Sequence, residues 1–181
     1  MTITQTMTDA ERIAVQRAVT AAHIRGENHG DYDTVEGTFV QNGRSYFDCG
    51  PGGLHFDGVG GIKDWYSILS SLLPDLKIVV TNEYDSVGCC LREMTASGTH
   101  SLEFAGVPAS GRRLEWEAIA LYIFDPEQPD KLIGERAYWD NDALIKQMKG
   151  EEVPPMLGLL TSPRIHELSN IVGTERSSAY S

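Results

Sequence analysis

Two side chains that can move protons stand beside turn-forming sequence: Asp48, in the run Tyr46-Phe-Asp-Cys-Gly-Pro51, and His23, near the end of the first helix-like stretch. A carboxylate in an apolar pocket has a raised pKa and can take a proton from carbon or return it. A neighbouring donor steadies the enolate or alkoxide that forms. Asp48 as base and His23 as donor would make such a pair. Each also has a plainer reading, Asp48 as a turn-capping carboxylate before Gly50-Pro51 and His23 as a helix histidine near the surface. His100 is a third candidate, in a strand whose alternation decides whether it faces in or out.

Other residues could hold a substrate. Glu115 and Glu117 share one face of a strand, so both see a cavity or both see solvent, and solvent is the default for glutamate. Tyr46, Tyr122, Tyr138, Trp65, Trp116 and Trp139 can stack on an aromatic molecule or serve as plain core. Asp140, directly before the last helix, reads first as a cap. His55 and Asp57 are too little for a metal site, and the three cysteines (Cys49, Cys89, Cys90) form no CxxC or zinc-like spacing. With no phosphate loop and no dinucleotide fingerprint either, neither a metal nor a cofactor is expected.

The elements that must position these groups centre on Thr95 to Asp140, which carries most of the β-signal. Met94 to Phe104 and Leu114 to Phe124 interleave polar and apolar residues, and turn chemistry separates them and precedes a last strand. Ahead of them, Thr8-Asp-Ala-Glu11 is a capping box that starts a helix, with a stripe through Ile13, Ala14, Arg17, Ala18, Ala21, Ala22 and Arg25. Asp31 to Asp33 caps a short second helix. Ser45 to Cys49 is a short strand stopped by Gly50-Pro-Gly-Gly53. A third helix spans Gly61 to Leu73, a strand spans Leu76 to Tyr84, and a closing helix spans Asn141 to Lys149. This order predicts an α+β fold, a strongly bent antiparallel sheet wrapped by three to four helices around an interior pocket.

At 181 residues and 41% hydrophobic, the chain fits one domain with a real core. Its formal net charge of −11 argues against nucleic acid and anionic membranes as partners. No apolar run reaches the roughly 18 residues of a spanning helix, and the amino terminus lacks the basic and apolar regions of a leader. These features predict a soluble, cytoplasmic protein. Composition changes after Gly150, which divides a 1–150 domain from a 151–181 extension whose apolar residues would pack on the domain or a partner subunit.

Three stretches resemble the SnoaL-like polyketide cyclases of the NTF2-like superfamily, which also includes ketosteroid isomerase. Asn28-His-Gly-Asp31-Tyr-Asp33 is similar to the family's N-x-(H/G)-D-x-D helix junction. Gly98 to Arg113 is similar to its GTHxGEFxGxPPTGRR hairpin, and Ala137-Tyr-Trp-Asp140 with Leu144-Ile-Lys-Gln147 to its final strand and LLRQLG helix. The resemblance implies a cone-shaped barrel enclosing a pocket. It sets His23 at the isomerase's oxyanion-donor position and Asp48 within one residue of its general base, while the second oxyanion donor falls near Ile119 or Ala120. The cyclases' acid/base aspartate would fall near Ala137, three residues before Asp140.

Together these readings predict a cofactor-independent enzyme doing acid–base chemistry on a hydrophobic, aromatic small molecule: an aldol or retro-aldol lyase, a dehydratase or an isomerase. Asp48, His23 and His100 are the catalytic candidates. Tyr46, Asn28, Trp65, Glu117, Tyr138, Trp139 and Asp140 are the substrate-binding ones. The family resemblance implies a homodimer. A non-catalytic binding or dimerisation module is the first alternative, and an epoxide hydrolase the second.

Overall fold

A computed structural model describes residues 7–50 and 53–153. The expectation of a packed 151–181 extension therefore lies almost wholly outside the described residues. Helix α1 (Asp9–His29) starts at the expected capping box: the Thr8 hydroxyl accepts from the Glu11 N–H at 3.3 Å, and the Glu11 carboxylate accepts from the Thr8 N–H at 2.7 Å. Gly30, at φ 66°, closes it in the left-handed conformation that glycine adopts without strain.

The buried face of α1 is not the expected stripe. Gln16, Thr20, His23, Ile24 and Glu27 are buried, whereas Ala14, Arg17 and Ala18 are exposed. Partners decide this. The Gln16 carbonyl accepts from the Gly88 N–H at 3.0 Å, and Thr20 donates to the Gln16 backbone carbonyl at 3.0 Å, so these polar groups can be buried without loss. Arg17 instead reaches from the exposed side to Asp85, at 2.7 Å.

Helix α2 (Tyr32–Gly37) is capped by Asp31, which accepts from the Thr34 N–H at 3.2 Å. It packs close to α1 because residue 26 is glycine; a Cβ there would stand 2.7 Å from Val35 Cγ2. Helix α3 (Gly58–Leu72) begins three residues earlier than expected and buries Ile62, Trp65, Tyr66, Leu69 and Leu72. Helix α4 (Asn141–Lys149) is capped by Asp140, which accepts from the Ala143 N–H at 3.0 Å.

Six strands, β1 (Tyr46–Gly50), β2 (Leu54–Asp57), β3 (Lys77–Ser86), β4 (Cys89–Thr99), β5 (Arg113–Phe124) and β6 (Leu132–Trp139), form one sheet in the order β2-β1-β6-β5-β4-β3. With four helices around it, the fold is α+β as expected. The sheet departs from a closed antiparallel barrel in two ways: β2 and β3 are free edges, and β1 runs parallel to β6. The parallel pair follows from connectivity, since the chain leaves β2 through α3 and three strands before returning beside β1. Strand β2 was not anticipated in the Gly-rich segment. The strand expected to reach Phe104 ends at Thr99, because residues 100–112 form a loop closed by a Phe104–Val107 bridge.

Alternation assigns the faces. Met94 and Ala96 of β4, Trp116, Ala118, Ala120 and Tyr122 of β5, Ala137 and Trp139 of β6, and Phe47 of β1 point inward. The inward face meets α3, the end of α1 and Leu144 of α4, and between them lies a cavity.

Candidate active site

The cavity lining is aliphatic and aromatic with two exceptions, Glu27 from α1 and Glu135 from β6. All three tryptophans of the chain, Trp65, Trp116 and Trp139, contribute to it. Trp65 stacks on Phe47 with ring centres 4.3 Å apart. Glu27 and Leu76 also border a second, more polar cleft at the end of α1, which includes Asn28, Tyr32, Asp75 and Lys77. Glu27 thus stands between the interior and a surface opening.

Behind the two glutamates lies His23, fully buried. The Thr38 hydroxyl donates to the Val35 carbonyl at 2.6 Å, which leaves its oxygen to accept from His23 Nδ1–H at 2.9 Å. That contact sets the ring so that Nε2 faces the cluster. Nε2 lies 3.2 Å from Glu135 Oε2, 3.8 Å from Glu27 Oε1 and 2.9 Å from the Tyr66 hydroxyl. Tyr66 O–H in turn stands 3.0 Å from Glu135 and 3.5 Å from Glu27. The ligand atoms of His23, Glu27 and Glu135 all lie within 4.8 Å of one another, near enough to share a proton or a divalent cation.

Burial dominates the electrostatics. Desolvation pushes the Glu27 carboxyl up to about 8, against the pull of His23, and the neighbouring Glu135 adds to the rise. For His23, burial alone would favour the neutral ring, but the attraction and hydrogen bond of Glu135, with Glu27 behind it, outweigh that and raise its pKa. Burial and the two carboxylates hold the Tyr66 phenol well above its usual range. Burial therefore keeps Glu27 protonated near neutral pH, while the carboxyl groups favour the charged form of His23. Glu27 Oε2 and the indole N–H of Trp139 are buried without a hydrogen-bond partner among the described residues.

Of the residues expected from sequence, His23, Trp65 and Trp139 are at this site. Asp48 is on the other face of β1, outside the lining, where it bonds to His55 Nδ1 and lies 3.3 Å from Arg136 Nε. Strand alternation explains this, because Phe47 and Cys49 take the inward positions. Tyr46 shares the outer face, stacked on His55 and under Arg136. Its ring covers Gly134, where any Cβ would collide with it. Glu117 and Tyr138 are exposed on the outer face of β5 and β6.

His100 is fully buried in the hairpin loop, away from the cavity, with Nδ1 beside the Ser110 hydroxyl at 3.0 Å. Asn28 ties α1 to β3, accepting from the Ile78 N–H at 2.6 Å and donating to the Ile78 carbonyl at 3.0 Å. Asp140 is the α4 cap.

Glu27, Tyr66 and Glu135 were not anticipated. Glu27 could have been found from its place four residues after His23, on one helix face. Glu135 carries a similar signal, two and four residues before Ala137 and Trp139 on the same face of a strand.

The chain matches the SnoaL-like polyketide cyclase family over residues 13–148. It belongs to that family. The SnoaL-like match spans every residue of the buried cluster. Among solved structures, the chain resembles a candidate SnoaL-like polyketide cyclase from Jannaschia sp. CCS1, with a TM-score of 0.65 and 16% identity over 82% of this chain and 99% of that one. IdmH, a candidate polyketide cyclase from Streptomyces antibioticus, aligns with a TM-score of 0.60 and 19% identity over 74% and 98% of the two chains. A Catenulispora acidiphila protein of ketosteroid isomerase-like fold, solved with trimethylamine, aligns with a TM-score of 0.60 and 12% identity over 74% and 93%. At these identities the likeness is one of fold. No curated protein matches the chain in sequence. No helix among the described residues is long and apolar enough to cross a membrane.

Proposed function

We propose that this SnoaL-like protein is an enzyme that moves protons on a hydrophobic, aromatic small molecule, using Glu135 and Glu27 as a base and acid pair. The observation that carries this reading is that, among the described residues, two carboxyl groups backed by one imidazole stand in a lining otherwise built of apolar and aromatic residues. Glu135, held against His23, takes a proton from substrate carbon or hydroxyl. Glu27, kept protonated by its burial, gives one to the carbonyl or leaving oxygen. Tyr66 O–H lies within 3.5 Å of both carboxyl groups and can return the proton from Glu135 to Glu27, restoring the starting state. Aldol or retro-aldol cleavage, dehydration and isomerisation all consist of such paired transfers. The homodimer and cytoplasmic setting expected from the sequence belong to this reading.

The test is proton NMR in D2O with aromatic β-hydroxy ketones, aryl propanediols and polycyclic ketones. The wild type should convert a panel member or exchange its acidic hydrogens, and E135Q should lower that rate by at least about a hundredfold, the lower end for a general base. Quenching of the three cavity tryptophans by panel members without any turnover or exchange would reduce the protein to a binding module.

A further inference from the structure

Among the described residues, Glu27 Oε2 is the one oxygen of the buried cluster left without a partner. Its sister Oε1 faces Tyr66 and His23, while the side chain as a whole borders the cavity. A buried carboxyl oxygen with nothing to bond is costly, and a ligand that offers it a donor recovers that cost. Among the described residues, no lysine or arginine lines the cavity to compete for the role.

The charges fix what kind of donor fits. His23 can supply one positive charge against two carboxyl groups, so one negative charge stays uncompensated whenever Glu27 ionises. In the empty cavity a proton on Glu27 fills that place. We infer that the natural ligand fills it instead with a basic nitrogen: the cavity selects a hydrophobic aromatic amine, whose ammonium displaces the Glu27 proton and forms a buried ammonium–carboxylate pair.

The exchange balances. Near neutral pH the amine arrives as its ammonium ion, so the Glu27 O–H bond breaks and that proton leaves to solvent as the ammonium–carboxylate pair forms. Glu27, raised only to about 8, gives up that proton at small cost near neutral pH. An alcohol of the same shape would only hydrogen-bond. The charge-assisted bond is roughly twice as strong as the neutral one. Aromatic rings in the lining, three of them indoles, add the attraction of their π-systems for a cation. The net charge of −11 favours approach of a cation and repels an anion. This inference rests on the cavity being the working site, as proposed above; with an amine bound, Glu27 holds the ammonium, whose N–H takes over from the Glu27 O–H as the proton donor.

Isothermal titration of the full chain at pH 7.4 and 0.15 M salt, with 2-naphthylmethylamine, 2-naphthylmethanol and 2-naphthoate, separates the possibilities on one ring system. The amine should bind at least about tenfold more tightly than the alcohol, with the carboxylate weakest. In E27Q the alcohol should keep its affinity, and the amine should lose its advantage. Equal binding of amine and alcohol by the wild type overturns the inference, and that comparison stands even if E27Q fails to fold. An amine preference that survives in folded E27Q also overturns it, since attraction to the acidic surface would then explain the difference. Turnover of neutral ketones without amine preference sinks this inference alone. Amine preference without any turnover leaves it standing and sinks the catalytic reading.

Discussion

Glu135 Oε2 lies 3.2 Å from His23 Nε2, both side chains almost fully buried. One residue comes from the first helix and the other from the last strand, so the pair forms only when the whole fold closes. Burying an ion pair seldom stabilises a protein more than well-packed apolar side chains would. Its cost here is compounded by Glu27, which has an oxygen with no partner among the described residues, and by Tyr66 wedged between His23 and the two carboxyl groups. A core this well supplied with Phe, Trp and Leu needs no such cluster for stability. The arrangement makes sense as groups held ready to exchange protons.

The first prediction follows from Glu27. Its carboxyl is raised from 4.5 to about 8 in the fold, so between those values the native protein holds a proton that the unfolded chain has released. His23, also raised, acts in the same direction above its ordinary 6.5. Stability is therefore full below about pH 4.5 as far as Glu27 is concerned, and falls as pH rises through the 4.5 to 8 window, by up to about 1.4 kcal/mol per pH unit for one proton. Asp75 and Asp85, lowered by their partners, act oppositely and only at more acidic pH. Urea unfolding at pH 5.5, 7.0 and 8.5 should show the wild type losing stability, with a shallower slope in E27Q. Parallel slopes would show that Glu27 is not the titrating group.

The second concerns Asp48 and the outer face. His55 is raised by its hydrogen bonds to Asp48 and then Asp57, all on solvent-facing positions. In Asp48→Asn the His55 titration followed by NMR should move back towards the ordinary histidine value. Binding of naphthyl probes in the cavity, read by tryptophan quenching, should stay within about twofold, because Asp48 is no part of the lining. Loss of probe binding would return Asp48 to the site.

Residues quoted for the sequence resemblance proved to be spread over fold and site in an instructive way. The hairpin around Gly98 to Arg113 and the Asp31 junction mark backbone geometry: His100 packs inside its own loop, and Asp31 caps α2. Helix caps at Thr8, Asp31 and Asp140 were legible because capping depends on neighbours in sequence. The sheet's parallel β1–β6 pair and the face of α1 were not, since both depend on distant partners such as Gly134 and Gly88. The cluster itself was half legible. His23 stood out as an imidazole, but Glu27 and Glu135 look like surface glutamates until the fold puts them opposite one another. Asp48 attracted attention by type and register, and strand alternation then turned it outward.

The last prediction tests how His23 is oriented. Thr38 commits its own proton to the Val35 carbonyl, so it can only accept from His23, and Nδ1 must carry a hydrogen in every protonation state. Nε2 is thereby the nitrogen that gains and loses a proton beside Glu135 and Tyr66. Long-range proton–nitrogen NMR should find Nδ1 protonated across the whole pH range, with titration confined to Nε2. Thr38→Val keeps the shape but leaves a buried N–H without an acceptor, at a cost of about 1 to 3 kcal/mol in urea unfolding. The ring should then be free to turn over, so in that variant both nitrogens should share the titration and any turnover should fall. Thr38→Ser, which restores the acceptor, should recover the wild-type nitrogen spectrum. A wild-type spectrum with the proton on Nε2 and none on Nδ1 would reverse the assigned tautomer, and with it the route by which His23 supports Glu135.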